Sequence, residues 1–229
     1  MDEDVDYEYP RLLQIRVGHG RLNAIADLID PFYPHVLKLV FRRSGWQRFV
    51  HTYISFAPAW IQHLVRKWWP QYTLPSCVVL KKLQKAEYTK TFEHEQAMYK
   101  KLEPAQGHLI PHFYGEAQCD GVRALLISYL PWPVVMKQPE PRLTVDEFKR
   151  RIEVATDEIA QYGVMYDDPK LSNVVMASGD RFMFIDLECV YEPDPGTEAM
   201  CRGHAVAAFV ENYEYHLDNL KKQGNEPWF

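Results

Sequence analysis

Four cysteines are all that 229 residues contain. Cys77, Cys119, Cys189 and Cys201 stand far apart, with no CxxC pair and no set of cysteine and histidine spacings that suggests a zinc site, which fits a reducing compartment. No stretch of 18 apolar residues runs without a charge or a proline, so no transmembrane segment is expected. A secretory leader would be basic and then apolar; the start here, MDEDVDYEYP, is acidic. Excess positive charge is also missing. A net charge of -5 and a pI near 6.0 remove any overall pull toward nucleic acid, leaving room only for a local basic patch. No internal repeat or low-complexity tract occurs. These absences together imply a cytoplasmic protein with no nucleic-acid partner.

With 47% hydrophobic and 25% charged residues, the chain can bury a substantial core as one large domain or two lobes. Residues 1–75 are rich in aromatics and prolines and are expected to form an N-terminal extension. Within them, RRSGWQRFVHTYISFAPAWIQHLVRKWWP (42–70) mixes Trp46, Trp60, Trp68 and Trp69 with arginines and a lysine. Helical packing over a neighbouring sheet is the expected use of such a stripe; lying on a membrane surface or docking a partner helix is the alternative.

From residue 76 the pattern sharpens. CVVLKKL reads as a strand and TFEHEQAMYKKL as a helix. HFYGEAQ and RALLISYL read as two strands joined at Asp120-Gly121, a pair suited to a tight turn. PWPVVMKQPEPR, with four prolines in twelve residues, suits a connector. Thr144 then occupies an N-cap position with Glu147 three residues on and Leu143 and Phe148 placed for a staple. The spacing Phe148, Ile152, Ala155, Ile159 continues that helix to Gly163. A last helix is expected over 205–222, with Gly224 past its end.

Between these helices lies YDDPKLSNVV (166–175), two acids, a lysine and an amide in one turn before a strand. A two-residue turn at Gly179-Asp180 would set Ala177 opposite Phe182 and Asn173 opposite Asp186. Directly opposed side chains lie about 4.5–5.5 Å apart at Cβ, close enough for an amide oxygen and a carboxylate to share one small cation. Mg²⁺ is held by one or two carboxylates together with waters and substrate phosphates. Asp168 could take the proton of an attacking hydroxyl while Lys170 neutralises charge on a phosphoryl group in transfer.

The order of these pieces resembles the protein-kinase-like fold, in an atypical form similar to aminoglycoside- or choline-kinase-type phosphotransferases. VVLK places Lys81 at the family's strand lysine, and FEHEQAMY places Glu95 on the following helix. Tyr166-Asp167-Asp168 stands at HRD, Asn173 at its asparagine, and Asp186-Leu187-Glu188 at DFG. Lys82 and Glu93 are neighbouring alternatives. Lys81 is preferred because it shares a face with Val79 and Leu83, and Glu95 because Tyr99 and Leu102 follow at i+4 and i+7.

The resemblance implies an α+β, bilobal fold: a small antiparallel-sheet N-lobe over 76–130 and a truncated, mainly helical C-lobe over 131–229. It implies ATP and Mg²⁺ as cofactors, with Lys81, held by Glu95, at the α and β phosphates, Ile127 at the back of the nucleotide pocket, and the backbone of Ser128 and Leu130 at the adenine. Asn173 and Asp186 would hold the metal, and Asp168 with Lys170 would act on a protein or small-molecule hydroxyl acceptor. Three features depart from the family. No GxGxxG precedes the lysine strand, the only candidate, Gly18-His19-Gly20, lying about sixty residues upstream. HRD and DFG read YDD and DLE. Only 43 residues follow Asp186, with no APE. A pseudokinase, binding or scaffolding without catalysis, is the competing expectation.

Overall fold

The computed structural model describes residues 9–42, 45–58, 60, 61, 65, 69 and 72–224. The chain divides into two compact units, Met1–Lys90 with His112–Tyr129 and Thr91–Pro111 with Leu130–Phe229.

Six antiparallel strands build the first unit: β1 (Arg11–Val17), β2 (Gly20–Leu28), β3 (Val36–Phe41), β4 (Cys77–Lys82), β5 (Phe113–Cys119) and β6 (Val122–Ser128). They close into a barrel in the order β1-β2-β3-β4-β6-β5. Every second residue points inward. Leu13, Ile15 and Val17 alternate with solvent-facing neighbours, as do Leu22, Ala24 and Ala26, and they meet Val78, Leu80, Ala124 and Leu126 in one core. Alanines suit the narrow interior of a six-stranded barrel, and β1 and β5 close it through the pairs Ile15↔Cys119, Arg16↔Gln118 and Val17↔Ala117.

Two expectations change here. The small antiparallel sheet expected from residue 76 is part of a closed barrel, and residues 1–75, expected as an extension, hold three of its strands, with Val36 paired to Lys81. The Gly18 and Gly20 region is a hairpin turn, Val17 pairing with Gly20. The Asp120-Gly121 turn forms as expected, closing on the pair Cys119↔Val122. Both its residues have positive φ, 53° and 77°, the geometry of a primed turn whose twist matches that of the strands. Helix α1 (Gly45–Ser55) lies between β3 and β4 in sequence. Trp68 and the side chain of Trp46 lie outside the described residues.

The second unit takes up most of α2 (Thr89–Lys101), which buries Phe92, Glu95, Met98 and Tyr99. Helix α3 (Val145–Ala160) starts on the expected capping box: Thr144 Oγ1 accepts from the Glu147 amide, and Glu147 Oε2 accepts from the Thr144 amide. Two short ribbons follow, β7 (Met165–Tyr166) with β10 (Val190–Tyr191), and β8 (Val174–Met176) with β9 (Phe182–Phe184). Helix α4 (Glu198–Gly224) begins seven residues before the expected start and contains Gly224 rather than ending before it. An aromatic core joins these pieces. Phe148 stacks on Tyr213 at 4.2 Å, and Tyr166, Phe184 and Phe209 form a second cluster, with Tyr166 and Phe184 4.6 Å apart.

The β8–β9 ribbon differs from its expected register by one residue. Val175 faces Met183 and Met176 faces Phe182. The ribbon turns over three residues, 178–180, closed by the Ala177 amide on the Arg181 carbonyl at 2.9 Å. Gly179 and Asp180 both take positive φ, so the expected pair does make the turn; one additional residue in the loop shifts the ladder.

Candidate functional site

In the first unit, β4 sends Val78 and Leu80 into the barrel core, so Val79 and Lys81 face outward. The register sets Val79 across from Ile127 and Lys81 across from Leu125, which puts Lys81 and Ile127 on one outer face of β4 and β6. Lys81 is half-buried and Ile127 buried. Lys82, the neighbouring alternative, is engaged elsewhere: its Nζ lies 2.9 Å from Asp120 Oδ2 at the tip of the β5–β6 hairpin. Ser128 is tied to His112 twice, its amide donating to the His112 carbonyl at 2.8 Å and its Oγ accepting from the His112 amide at 2.9 Å. The Ser128 amide is thus already committed within the strand end.

The remaining candidates belong to the second unit. Leu130 is its first residue after the division and packs with Val134 and Ile185 against Val175, Ala177 and Met183. On α2, Glu95 is buried at 2% exposure while Glu93 is exposed, which separates the two alternatives.

The 167–173 loop is built around one carboxylate. Asp168 is 8% exposed, and its Oδ2 accepts from Lys170 Nζ at 2.9 Å and from Asn173 Nδ2 at 2.8 Å. The loop backbone turns on Asp168 O and Lys170 O, which accept from the amides of Lys170 and Asn173. Asn212 of α4 donates to the Pro169 carbonyl at 2.9 Å, and the Asp167 amide donates to the Cys189 carbonyl at 3.2 Å. The Asp168 contact also raises the Lys170 pKa, keeping that ammonium charged.

Asn173 and Asp186 do not oppose each other on the expected ladder. Asn173 faces Ile185, whose amide donates to the Asn173 carbonyl at 2.9 Å. Asp186 lies one residue further, in the left-handed region at φ 68°, ψ 84°. The Tyr166 hydroxyl lies against this segment, donating toward the carbonyls of Ile185 at 2.9 Å and Asp186 at 3.1 Å. Burial pushes the Tyr166 phenol well above its usual range, with the Asp186 and Asp168 charges adding to the shift. Tyr99 on α2 is raised in the same way, by burial first and then by Glu95 and Asp186. Glu95 and Asp186 therefore both act on one buried phenol. Neither tyrosine was singled out as a positioning group from the sequence, although YDD put Tyr166 beside the acids.

Asn173 and Asp186 carry an amide oxygen and a carboxylate, the oxygen donors that a divalent ion such as Mg²⁺ would take together with waters and phosphate oxygens. Among the described residues no cluster of three or more His, Cys, Asp or Glu forms a closed metal cage.

The architecture has known counterparts. The chain resembles the kinase domain of PknI from Mycobacterium tuberculosis. A cysteine-to-alanine mutant of that domain aligns with a TM-score of 0.52 over 90% of this chain and 76% of that one, at 15% identity. A double mutant of the same domain gives a TM-score of 0.51 over 89% and 76%, also at 15% identity. No protein-family model matches the chain, and no curated protein matches it in sequence. The fold is α+β and protein-kinase-like.

Proposed function

We propose that this protein is an atypical kinase-like phosphotransferase that binds ATP with Mg²⁺ and transfers the γ-phosphoryl group to a hydroxyl, of the aminoglycoside- or choline-kinase type. The observation that carries the reading is the buried Asp168 carboxylate holding Lys170 and Asn173 on one oxygen, within a fold that resembles a kinase domain.

In this reading Lys81, with Glu95, binds the α and β phosphates, and Ile127, Ser128 and Leu130 line the adenine side. Asn173 and Asp186 hold Mg²⁺, which would supply charge neutralisation at the phosphates. Asp168 orients the acceptor hydroxyl. The acceptor oxygen attacks the γ-phosphorus, the bond from that phosphorus to the β–γ bridging oxygen breaks, ADP leaves with that electron pair, and the acceptor proton passes to Asp168. Lys170 offsets charge on the group in transfer.

One observation favours a pseudokinase instead. The Gly18 and Gly20 hairpin turns over two residues, with Val17 paired to Gly20, and offers no glycine-rich loop whose amides could cradle phosphates.

Calorimetry with ATP, with and without Mg²⁺, on the natural chain and on Asp186→Ala tests the reading. Metal-dependent binding that disappears in the variant is expected; no heat in any mixture leaves only the scaffold. Turnover should then fall by about 10²- to 10⁴-fold in Asp168→Asn with nucleotide binding retained. Equal turnover in that variant would remove Asp168 from the role of base.

A further inference from the structure

Between Pro31 and Ala86 the chain carries nine lysines and arginines and no aspartate or glutamate, within a protein of net charge -5. The centre of that run combines Arg42, Arg43, Arg48, Arg66 and Lys67 with seven aromatic residues. A helical cover for a sheet would bury its rings, as the sequence pattern alone suggests. The structure does the reverse. Phe49 and Tyr53, one turn apart on α1, pack with ring centroids 4.3 Å apart and planes tilted by 47°, and are 51% and 64% exposed. Phe56, Trp60 and Trp69 are 85%, 69% and 52% exposed. The aliphatic residues Val50, Ile54, Ile61 and Val65 are the half-buried ones.

Exposed aromatic surface on this scale costs free energy in water and marks a binding face. Three features select its occupant. Tryptophan and tyrosine are the residues that settle at the headgroup level of bilayers, having an apolar ring and a polar edge. A run of basic residues without an acidic one complements an anionic leaflet. A protein groove would call for aliphatic anchors along one helix face, and here the aliphatic residues are turned inward.

We propose that the exposed rings of Phe49, Tyr53, Phe56, Trp60 and Trp69 are the docking face of a peripheral membrane-binding insert, entering the headgroup region of an anionic bilayer to which the basic residues of the same stretch of sequence attract it. The insert lies on the membrane rather than crossing it, since no described helix is long and apolar enough to span one. The proposal stands apart from nucleotide binding, and its test reads no catalytic step.

The experiment is co-sedimentation of the full chain with vesicles of phosphatidylcholine alone and with about 30% phosphatidylserine, at low and high salt. Binding to the anionic vesicles should be at least tenfold tighter and should weaken with salt, with tryptophan emission shifting to the blue. Phe56→Ser with Trp60→Ser should reduce binding by roughly tenfold or more. Arg66→Glu with Lys67→Glu should remove the preference for anionic lipid, and Met200→Ser, an exposed apolar site on α4, should leave binding unchanged. Because Phe56, Trp60 and Met200 are exposed, their variants should keep the circular dichroism of the natural chain; the charge variant is held to the same check, and the emission shift needs no variant. Equal affinity for both vesicles overturns the proposal. So does absence of vesicle binding, or retention only by nucleic acid or by a partner protein.

Discussion

The Tyr166 hydroxyl shows how a single polar atom can organise a site. It donates toward the carbonyls of Ile185 and Asp186, and the second of these belongs to a residue at φ 68°. A non-glycine residue held in the left-handed region costs about 1 kcal/mol or more, and such strain persists where surrounding contacts over-determine it. Tyr166→Phe should lower the unfolding free energy by about 1 kcal/mol, as expected for a lost buried hydrogen bond; urea denaturation measures it. The same change should weaken metal-dependent nucleotide binding by freeing the Asp186 backbone. Asp186→Gly separates strain from chemistry. Glycine accepts this φ, so stability should rise by up to about 1 kcal/mol while metal-dependent binding is lost. A stability loss in Asp186→Gly would mean the carboxylate itself supports the fold.

At the scale of elements, the local start and stop signals operate as their chemistry predicts. The capping box at Thr144 fixes the first turn of α3, which carries Phe148 into the stack with Tyr213. Thr144→Ala should destabilise the protein by about 1 kcal/mol, with Thr144→Ser close to the natural chain, both read from thermal unfolding. Hairpins show where local reasoning succeeds and where it slips. Asp120-Gly121 was legible because two residues suited to positive φ stand between two apolar runs and the strands close directly on them. Gly179-Asp180 carried the same signal, yet Ser178 joined the loop and moved the ladder by one. Turn composition indicates where a chain reverses; backbone hydrogen bonds along the ribbon select among registers that differ by one residue. The alternation in β1 and β2 was present in RLLQIRV and GRLNAIADL. It is weak to read because alanines fill inward positions where the pattern leads one to expect larger apolar residues.

The whole molecule should respond to alkaline pH through its buried phenols. Burial raises the pKa values of Tyr99, Tyr166 and Tyr213 in the folded state, while the unfolded chain ionises near its ordinary value of 10. Above that pH the unfolded state binds fewer protons than the folded one, so stability is full below about pH 10 and is lost as pH rises further. The denaturation midpoint should fall steadily above about pH 10, and Tyr99→Phe with Tyr166→Phe should flatten that fall. An unchanged slope in the double variant would show that these phenols are not the groups responsible.

Short-range chemistry in the sequence determined the pieces: the strand ending in Lys81, the helix bearing Glu95, the acidic loop before β8 and the capping box. Each depends on residues within a turn or two of one another, so local propensity and spacing suffice. Tertiary structure decided how those pieces combine. It closed β1 to β5 into a barrel, set Lys82 on Asp120 and left Lys81 on the outer face. It buried Glu95 while exposing Glu93, and it set Asn173 opposite Ile185 rather than Asp186, with the Tyr166 hydroxyl on the carbonyls of Ile185 and Asp186. These outcomes depend on groups far apart in the chain competing for the same buried space and the same hydrogen-bond partners, a contest that only the folded arrangement resolves.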